Sequence, residues 1–394
     1  MRLRVQKWID HRLGLFLFFW IRPVSLLLGK LLKRNHQLRV DRHIVVMKLL
    51  GGGSLFVALP TLLAIRRRYP DKRITLVCTP GVLVYGELTG VFDDYAVIRT
   101  SSLWRILSSG ISSLTKCFRA DCHINFEIHS KMAGLFSLFT CARNRIGFYM
   151  QWNAWKHGVT THALFYNEIT PIYVAYEQVI RLLDGVKPSD DEIEEHLRQV
   201  HGFESAGESR RKAGQLPREL AIAAFSSELC PEREFSPEEW ERLLASSFPE
   251  ESPKLHVLGG PSDGPKSARL CHRLRQAGYE VEEHTGQLSL RDSVQVLLGC
   301  EELLTIDSGL NHIARRLRMR IRSYWGPTHP RRLLAPIAGL EELVYAADVF
   351  CSPCVHIIDQ PPCLGDNVCM QSQLGRSLEE TNRSGWLVHK SYHA

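Results

Sequence analysis

Short apolar runs alternate with helical patterns along most of the chain. Residues 43–47 form a β-branched run, a glycine cluster follows, and residues 55–68 carry a helical pattern. The same order gives further predicted strands at 73–78, 95–99, 123–126, 145–148, 219–225, 254–259, 280–283, 302–306 and 320–325. Strands that alternate with helices form βαβ units around a parallel sheet. The pattern therefore predicts an α/β protein with two doubly wound, Rossmann-like halves.

The alternation is interrupted once, in a polar and charge-dense stretch after residue 185. We expect five segments: a leader at 1–42, an N-terminal domain at 43–185, a linker at 186–217, a C-terminal domain at 218–345 and a cysteine-rich segment at 346–394. The length of 394 residues, with 44% hydrophobic and 23% charged residues, suits two folded domains. This composition excludes a disordered or polytopic membrane chain.

The positive charge of the protein is concentrated in the leader. Residues 1–42 contain ten Lys and Arg and two Asp, so they carry +8 while the whole chain carries +7. Because a nucleic-acid-binding protein more often has a basic face on its folded part, we expect no nucleic-acid partner. An apolar run at residues 13–21 is interrupted by Arg22 and Pro23, whereas a spanning helix needs about 20 mostly apolar residues.

These features favour a helix that lies in the membrane interface. The cationic side chains would bind an anionic membrane surface. The aromatic residues expected at the headgroup boundary are Phe16, Phe18, Phe19 and Trp20. The alternative is a helix that covers another part of the protein.

A glycine turn follows the first predicted strand. It begins at Lys48 and contains Gly51, Gly52, Gly53 and Ser54. Glycines let a backbone approach a ligand closely, and a helix start offers N–H groups to an anion. No Gly-Lys-Ser/Thr is present, so the turn is not a P-loop, and the spacing fits a dinucleotide fingerprint poorly. A simple tight turn is the alternative.

A second candidate turn lies in the C-terminal half, where Asp307, Ser308 and Gly309 follow a predicted strand and His312 lies on the first helical turn. Asp and Ser are favoured N-cap residues, and a helix N-terminus stabilises a phosphate. The alternative is plain helix capping with a packed histidine. Three further donor-site candidates end or follow neighbouring strands: Ser227, Arg233 and Gly259. An arginine beside such a strand end suits a diphosphate.

Four of the eleven cysteines are close together near the C-terminus. They are Cys351, Cys354, Cys363 and Cys369. The opening Cys-x2-Cys is a metal-binding spacing, although the second pair departs from it. We expect a structural zinc or iron ion here, with disulfides and free thiols as alternatives.

Taken together, these segments resemble glycosyltransferase family 9, the heptosyltransferases. The matching segments, in order, are residues 45–48, 53–54, 58–60, 121–130, 145–148, 227–235, 257–261, 285–290, 307–314 and 326–328. The resemblance implies a GT-B architecture, with two Rossmann-like domains facing a cleft. It also implies inverting, metal-independent transfer of a sugar from a nucleotide-sugar such as ADP-heptose to a lipopolysaccharide-core or other lipid-linked acceptor. Such an enzyme would be peripheral, on the cytoplasmic face of the bacterial inner membrane.

The resemblance also assigns roles to the candidate residues. The donor would contact the C-terminal candidates, and the acceptor would contact Lys48 and the three glycines. Members of the family carry Asp as the proposed base where this chain has Ser54. A serine hydroxyl is not a general base near neutral pH without help, so Glu127, after the fourth predicted strand, is the candidate base. Glu127 as a structural hydrogen-bond acceptor is the alternative.

Two other functions fit parts of the sequence. The serine at the base position is compatible with a catalytically silent GT-B protein that binds a nucleotide-sugar or glycolipid. A different Rossmann enzyme, such as a nucleotide-sugar epimerase or a dehydrogenase, is disfavoured by the incomplete dinucleotide fingerprint.

Overall fold

The computed structural model describes residues 3–31, 37–150, 158–203, 218–226, 230–249, 252–355, 358, 363–374 and 390–391. The chain divides into two compact units, Met1–Ser189 and Asp190–Ala394, called here the N-terminal and C-terminal units.

The N-terminal unit is a six-stranded parallel sheet with helices between the strands. Its strands lie in the order β3-β2-β1-β4-β5-β6. The elements are α1 (Leu3–Leu31), β1 (His43–Met47), α2 (Ser54–Val57), α3 (Leu59–Arg68), β2 (Arg73–Cys78), α4 (Pro80–Thr89), β3 (Asp94–Val97), α5 (Leu103–Cys117), β4 (Cys122–Asn125), α6 (Lys131–Phe139), β5 (Asn144–Tyr149), β6 (His162–Phe165) and α7 (Ile172–Leu182).

The C-terminal unit repeats this arrangement. Its strands lie in the order β9-β8-β7-β10-β11-β12-β13, and all pairs are parallel except the last. The elements are α8 (Asp190–His201), β7 (Glu219–Ala223), α9 (Pro237–Ser247), β8 (Lys254–Val257), α10 (Gly264–Gln276), β9 (Val281–Glu283), α11 (Leu290–Gly299), β10 (Glu302–Ile306), α12 (Gly309–Arg316), β11 (Arg320–Trp325), α13 (Pro330–Leu333), β12 (Glu341–Ala346), α14 (Val368–Gln371) and β13 (Lys390–Ser391).

Both sheets have the strand order of a doubly wound Rossmann-like fold, in which the order reverses beside the first strand. The central strands are buried on both faces, as parallel strands covered by helices must be. The predicted α/β class is therefore confirmed. In such sheets, ligands bind at the carboxyl ends of the strands where the order reverses, which here means β1 beside β4 and β7 beside β10.

Two predicted elements differ from the structure. The helix expected over 55–68 is divided into α2 and α3 at Ala58, whose backbone keeps helical angles. Residues 190–201, expected within the linker, form α8. Ile193 and Leu197 of α8 are buried, because their spacing of four puts them on one face of the helix. The rest of the expected linker, residues 204–217, lies outside the described residues.

Within the leader, Leu3–Leu31 forms α1, which continues through Pro23. Phe18 is 5% exposed and packs with Leu135 and Leu138 of α6. The expectation that Phe18 lies at the membrane boundary is therefore wrong, because its side chain belongs to this apolar cluster. Phe16, Phe19 and Trp20 are exposed, as expected.

A carboxylate also anchors α1. Asp10 accepts hydrogen bonds from the Ser130 hydroxyl (2.7 Å) and from the backbone N–H groups of Lys131 (3.0 Å) and Met132 (2.7 Å). These donors form the N-terminus of α6, where a negative charge is stabilised. None of the helices in the described segments has the length and apolar character needed to cross a membrane.

Candidate functional site

The glycine turn of the N-terminal unit lies where the strand order reverses. Gly51 has a φ of +70°, in the left-handed region that favours glycine. A Cβ on Gly52 would lie 2.1 Å from the Tyr85 ring of α4, so this position has no room for a side chain. Ser54 begins α2, and its hydroxyl donates to the Gly51 carbonyl (2.6 Å). The turn is thus held close and rigid at the end of β1.

A buried ion pair fixes the start of this turn. The Lys48 ammonium lies 3.1 Å from Oε1 of Glu127, which follows β4. The same oxygen accepts the backbone N–H groups of Leu49 (2.7 Å) and Leu50 (3.1 Å). Burial alone would raise the pKa of Glu127, but Lys48 and these amides outweigh it and hold the pKa below its ordinary value. Glu127 is therefore ionised. It also acts as a structural hydrogen-bond acceptor, which is the alternative to a role as the base.

Tyr176 of α7 completes this cluster and was missed by the sequence analysis. Its side chain is 3% exposed, and its phenol lies within electrostatic reach of Lys48 and Glu127. Burial raises its pKa, so the phenol is neutral. No local signal points to Tyr176, because it occupies an apolar position of an ordinary amphipathic helix. The N-terminal unit thus brings together Lys48, Ser54, Glu127 and a phenol.

The corresponding position of the C-terminal unit holds the second turn. One Arg233 nitrogen donates to the Asp307 carbonyl (2.8 Å) and carboxylate (3.0 Å). His312 Nε2 lies 3.5 Å from the other carboxylate oxygen of Asp307. Burial alone would raise the pKa of Asp307, but Arg233 and His312 outweigh the effect of burial and hold this pKa well below its ordinary value. Arg233, Asp307 and His312 are therefore one connected cluster.

The start of α12 has the expected capping geometry. Ser308, rather than Asp307, is the N-cap, since its hydroxyl accepts from the Asn311 N–H (3.3 Å). Gly309 is the first helical residue. The N-terminal N–H groups of α12 thus lie beside the Arg233–Asp307–His312 cluster, and a helix start of this kind stabilises anionic groups.

The other donor candidates vary in placement. Gly259 follows β8, and a Cβ there would lie 2.8 Å from the Phe225 ring, so it is a close-packing position. Ser227 lies outside the described residues. Glu234 was missed: its carboxylate accepts from the Ser226 N–H (2.8 Å) and pairs with Lys266 (2.8 Å). This pair fixes the loop that carries Arg233.

The four C-terminal cysteines come near one another in the structure. Burial, together with the nearby thiols of Cys354, Cys363 and Cys351, raises the pKa of Cys369 to about 12. Cys230 interacts with Cys354 in the same way. Within the described residues, these sulfur atoms do not form a group of three within metal-ligand spacing. The structure thus brings the cysteines together as thiols and leaves the metal prediction open to test.

Comparisons with known proteins agree with this architecture. The profile of glycosyltransferase family 9 (heptosyltransferase) matches residues 118–364. Over 120 residues the chain is 28% identical to lipopolysaccharide heptosyltransferase 1 of Pseudomonas aeruginosa. That match covers 30% of this chain and about a third (32%) of the relative.

Solved heptosyltransferases share the fold. ADP-heptose lipopolysaccharide heptosyltransferase II of E. coli has a TM-score of 0.57 at 14% identity, covering 87% of this chain and 98% of that one. The E. coli heptosyltransferase WaaC, solved with ADP-2-deoxy-2-fluoro heptose, has a TM-score of 0.56 at 15% identity, covering 78% and 93%.

Two Rossmann-like units, each with polar groups at its strand-order reversal, define a protein of the GT-B fold class, and the solved neighbours confirm it. Since the family profile covers more than half of the chain, the chain belongs to glycosyltransferase family 9, a family of transferase enzymes.

Proposed function

We propose that the protein is an inverting glycosyltransferase that uses a nucleotide-sugar donor. The observation that carries this proposal is the Arg233–Asp307–His312 cluster beside the N-terminus of α12. A departing diphosphate needs positive charge and N–H donors. Arg233 and the α12 amides supply these in the C-terminal unit, so the departure of the diphosphate is proposed to need no metal ion.

The acceptor is proposed to bind the N-terminal unit, at Lys48 and the glycines Gly51, Gly52 and Gly53. Glu127 is the proposed base, because an ionised carboxylate follows β4 at the same reversal point. Ser54 and Tyr176 would then orient the acceptor hydroxyl. The transfer forms the new glycosidic bond as the bond to the diphosphate breaks, and the acceptor proton passes to Glu127.

An ADP-linked heptose is the proposed donor, and a lipopolysaccharide-core or other lipid-linked glycan is the proposed acceptor. Family membership supports both. A lipid-linked acceptor also fits the exposed aromatic residues of α1, which would bind an anionic membrane surface on the cytoplasmic side.

A second exposed stripe on α5 supports contact with lipid. Leu103, Trp104, Leu107 and Ile111 are all more than half exposed. A groove of about 460 Å³ beside α5 is lined by Arg99, Arg105, Lys116 and several serines. Apolar residues beside cations suit the interface of an anionic membrane.

We further propose that the C-terminal cysteines hold a structural zinc or iron ion. Cys351, Cys354, Cys363 and Cys369 would be its ligands, with Cys230 nearby. Metal analysis of the purified protein tests this proposal, and a chain whose metal content is unchanged by Cys351→Ser and Cys354→Ser would contradict it.

Release of nucleoside diphosphate from ADP-, GDP- and UDP-sugars, with acceptor extract and in the presence of a chelator, tests the proposed activity. We expect turnover with an ADP-sugar and a product of inverted anomeric configuration. Glu127→Gln should lower kcat by about 100-fold or more if Glu127 is the base. Binding of the donor without turnover in any arm would instead favour the silent binding protein, which the ion-paired state of Glu127 allows.

A further inference from the structure

A row of polar residues lies on one face of the C-terminal sheet, on the strands β7, β8 and β9. His256 of β8 is in register with Glu282 of β9. Because side chains alternate along a strand, His284, two residues beyond Glu282, belongs to the same face. Glu219 of β7 and Lys254 of β8 share it through the adjacent register. The proposed glycosyltransferase function uses none of these residues.

Three of these side chains converge on one point. His256 Nδ1 lies 3.1 Å from His284 Nε2. Glu282 Oε2 lies 3.5 Å from each of these nitrogens. The three atoms form a nearly equilateral triangle. A tetrahedral ion with bonds of about 2.0–2.1 Å separates its ligand atoms by about 3.3–3.4 Å, so the triangle has the size of three ligand positions.

Glu219 and Lys254, which surround this triangle, make the kind of contact that usually supports metal ligands. His256 is 7% exposed, and its second nitrogen, Nε2, has no hydrogen-bond partner among the described residues but lies 3.5 Å from Glu219 Oε2. Lys254 holds the other oxygen of Glu282 at 2.6 Å. A ligating histidine usually donates its other N–H to a carboxylate, and ligating carboxylates are themselves held by hydrogen bonds. Glu219 and Lys254 are placed for these two tasks.

The charge of this face also favours a cation. Lys254 pairs with Glu280 and Glu282, and Glu219 lies beside His256, so these described groups carry an excess of two negative charges when both histidines are neutral. The imidazole planes are 6° apart with centroids 5.4 Å apart, so the facing nitrogens share a hydrogen bond. An ion between them would displace that hydrogen bond: its proton moves to the outer nitrogen of the same ring, both imidazoles then ligate as neutral groups, and the ion balances the acidic excess.

We propose that His256, His284 and Glu282 form a binding site for a divalent transition ion of the Zn²⁺ class. Two imidazoles and one carboxylate are a donor set that suits Zn²⁺ rather than Mg²⁺ or Ca²⁺. Water would take the fourth position. The ion would tie β9, a three-residue edge strand, to β8. The proposal is independent of the glycosyltransferase function.

Zn²⁺ titration of the full-length protein tests this site. The Cys351→Ser/Cys354→Ser background, stripped with a chelator, keeps the cysteine cluster from contributing. We expect one Zn²⁺ per chain and a higher melting temperature, because an ion that binds the folded state stabilises it. His256→Asn and His284→Asn should each weaken binding at least tenfold. Glu219→Gln, which removes an outer contact, should weaken it about tenfold.

Two variants serve as matched controls. His272→Asn changes an exposed histidine of α10, and Glu280→Gln changes an exposed acid beside Lys254. Both should bind Zn²⁺ within about twofold of the parent protein. His284 is partly exposed, so His284→Asn tests the site even if His256→Asn fails to fold. Parent-like binding by His284→Asn, or no stoichiometric binding and no thermal shift in the parent protein, would overturn the proposal.

Discussion

Single residues in this protein combine a structural role with a chemical one, and Asp307 is the clearest case. Its carboxylate holds the Arg233 guanidinium, which is itself 13% exposed. Replacing Asp307 by Ala therefore removes the carboxylate beside a nearly buried cation, which keeps its neutral backbone acceptors at Cys230 and Asp307. The sequence alone suggests that this change affects donor binding and leaves the fold intact. The ion pair indicates that it costs stability as well.

Asp307→Asn should destabilise the protein by about 3–5 kcal/mol, the cost of breaking a buried ion pair. In the folded state the pKa of Asp307 is held below its ordinary value of 3.8, so the ionised carboxylate stabilises the fold fully at pH values above 3.8. This contribution is lost as the pH falls through the folded pKa. The wild-type free energy of unfolding should thus fall as the pH drops below about 4. The variant should show a smaller fall, which denaturant titrations between neutral and acid pH would measure.

Glu342→Gln is the matched control for this change. Glu342 pairs with Arg315 at 2.8 Å in the core of the same unit, at the last turn of α12 rather than at the start of that helix. The control should lose a similar amount of stability but bind ADP normally. Equal loss of ADP affinity in the two variants would mean that the effect of Asp307→Asn is general destabilisation.

Lys48→Met examines whether Glu127 accepts a proton. Without the ammonium, burial dominates and the pKa of Glu127 rises. Because the proposed base must be ionised, the acid limb of kcat/KM against pH should then move to higher pH, by about 1–3 units. The pH position of the limb is the quantity to compare, because Lys48 also belongs to the proposed acceptor site and its loss can lower the rate by itself. A lower rate at every pH with an unmoved limb would assign Glu127 to positioning only.

At the scale of elements, α1 has two different faces. One face packs on α6 through Phe18, and Asp10 caps α6, whereas Phe16, Phe19 and Trp20 are exposed. Removal of the leader would therefore uncover the apolar surface of α6. Single substitutions separate membrane binding from folding more cleanly than truncation does.

Phe19→Ser and Trp20→Ser should reduce co-sedimentation with anionic vesicles and change the free energy of unfolding by less than about 0.5 kcal/mol, since both side chains are exposed. Phe18→Ala should cost about 3–5 kcal/mol, because it leaves a cavity against α6. Vesicle binding and urea titration of the three variants measure both effects. Undiminished vesicle binding by both surface variants would contradict the interfacial role of α1.

The sequence predicts those elements whose signals are local. β1 and β10 are short apolar runs, and α12 begins at a serine N-cap, so their positions follow from neighbouring residues. Which face of α1 is buried depends on α6, more than 100 residues away, and the sequence does not encode it locally. The same holds for Tyr176, whose role arises from packing of α7 beside the glycine turn.

The ion pairs of the two candidate sites also depend on residues that are distant in the sequence. Glu127 could be selected because it follows a strand, but its partner Lys48 lies 79 residues away. Only the sheet order, which puts β1 beside β4, brings the two together. The same order in the other unit brings Arg233 to Asp307, 74 residues apart. Topology, rather than local pattern, therefore assembles both clusters.

At the scale of the whole molecule, the two units share one strand order but carry different chemistry where that order reverses. Each unit pairs a cation with a buried carboxylate there, Lys48 with Glu127 and Arg233 with Asp307, and in the C-terminal unit the cation also lies beside the start of α12. A diphosphate should prefer the second arrangement, because it combines a cation with N–H donors. This difference assigns the proposed donor to one unit and can be tested without an acceptor.

Hydrogen exchange with and without ADP makes that test. We expect ADP to slow exchange in segments 230–234 and 307–312 of the C-terminal unit, since ligand binding suppresses local opening. Exchange in segment 48–54 of the N-terminal unit should change little. The Asp307→Asn variant, which no longer orients Arg233, should show weaker protection at the same ADP concentration, whereas Glu342→Gln should retain it. Protection confined to segment 48–54 would place the nucleotide on the opposite unit and reverse the proposed assignment of donor and acceptor.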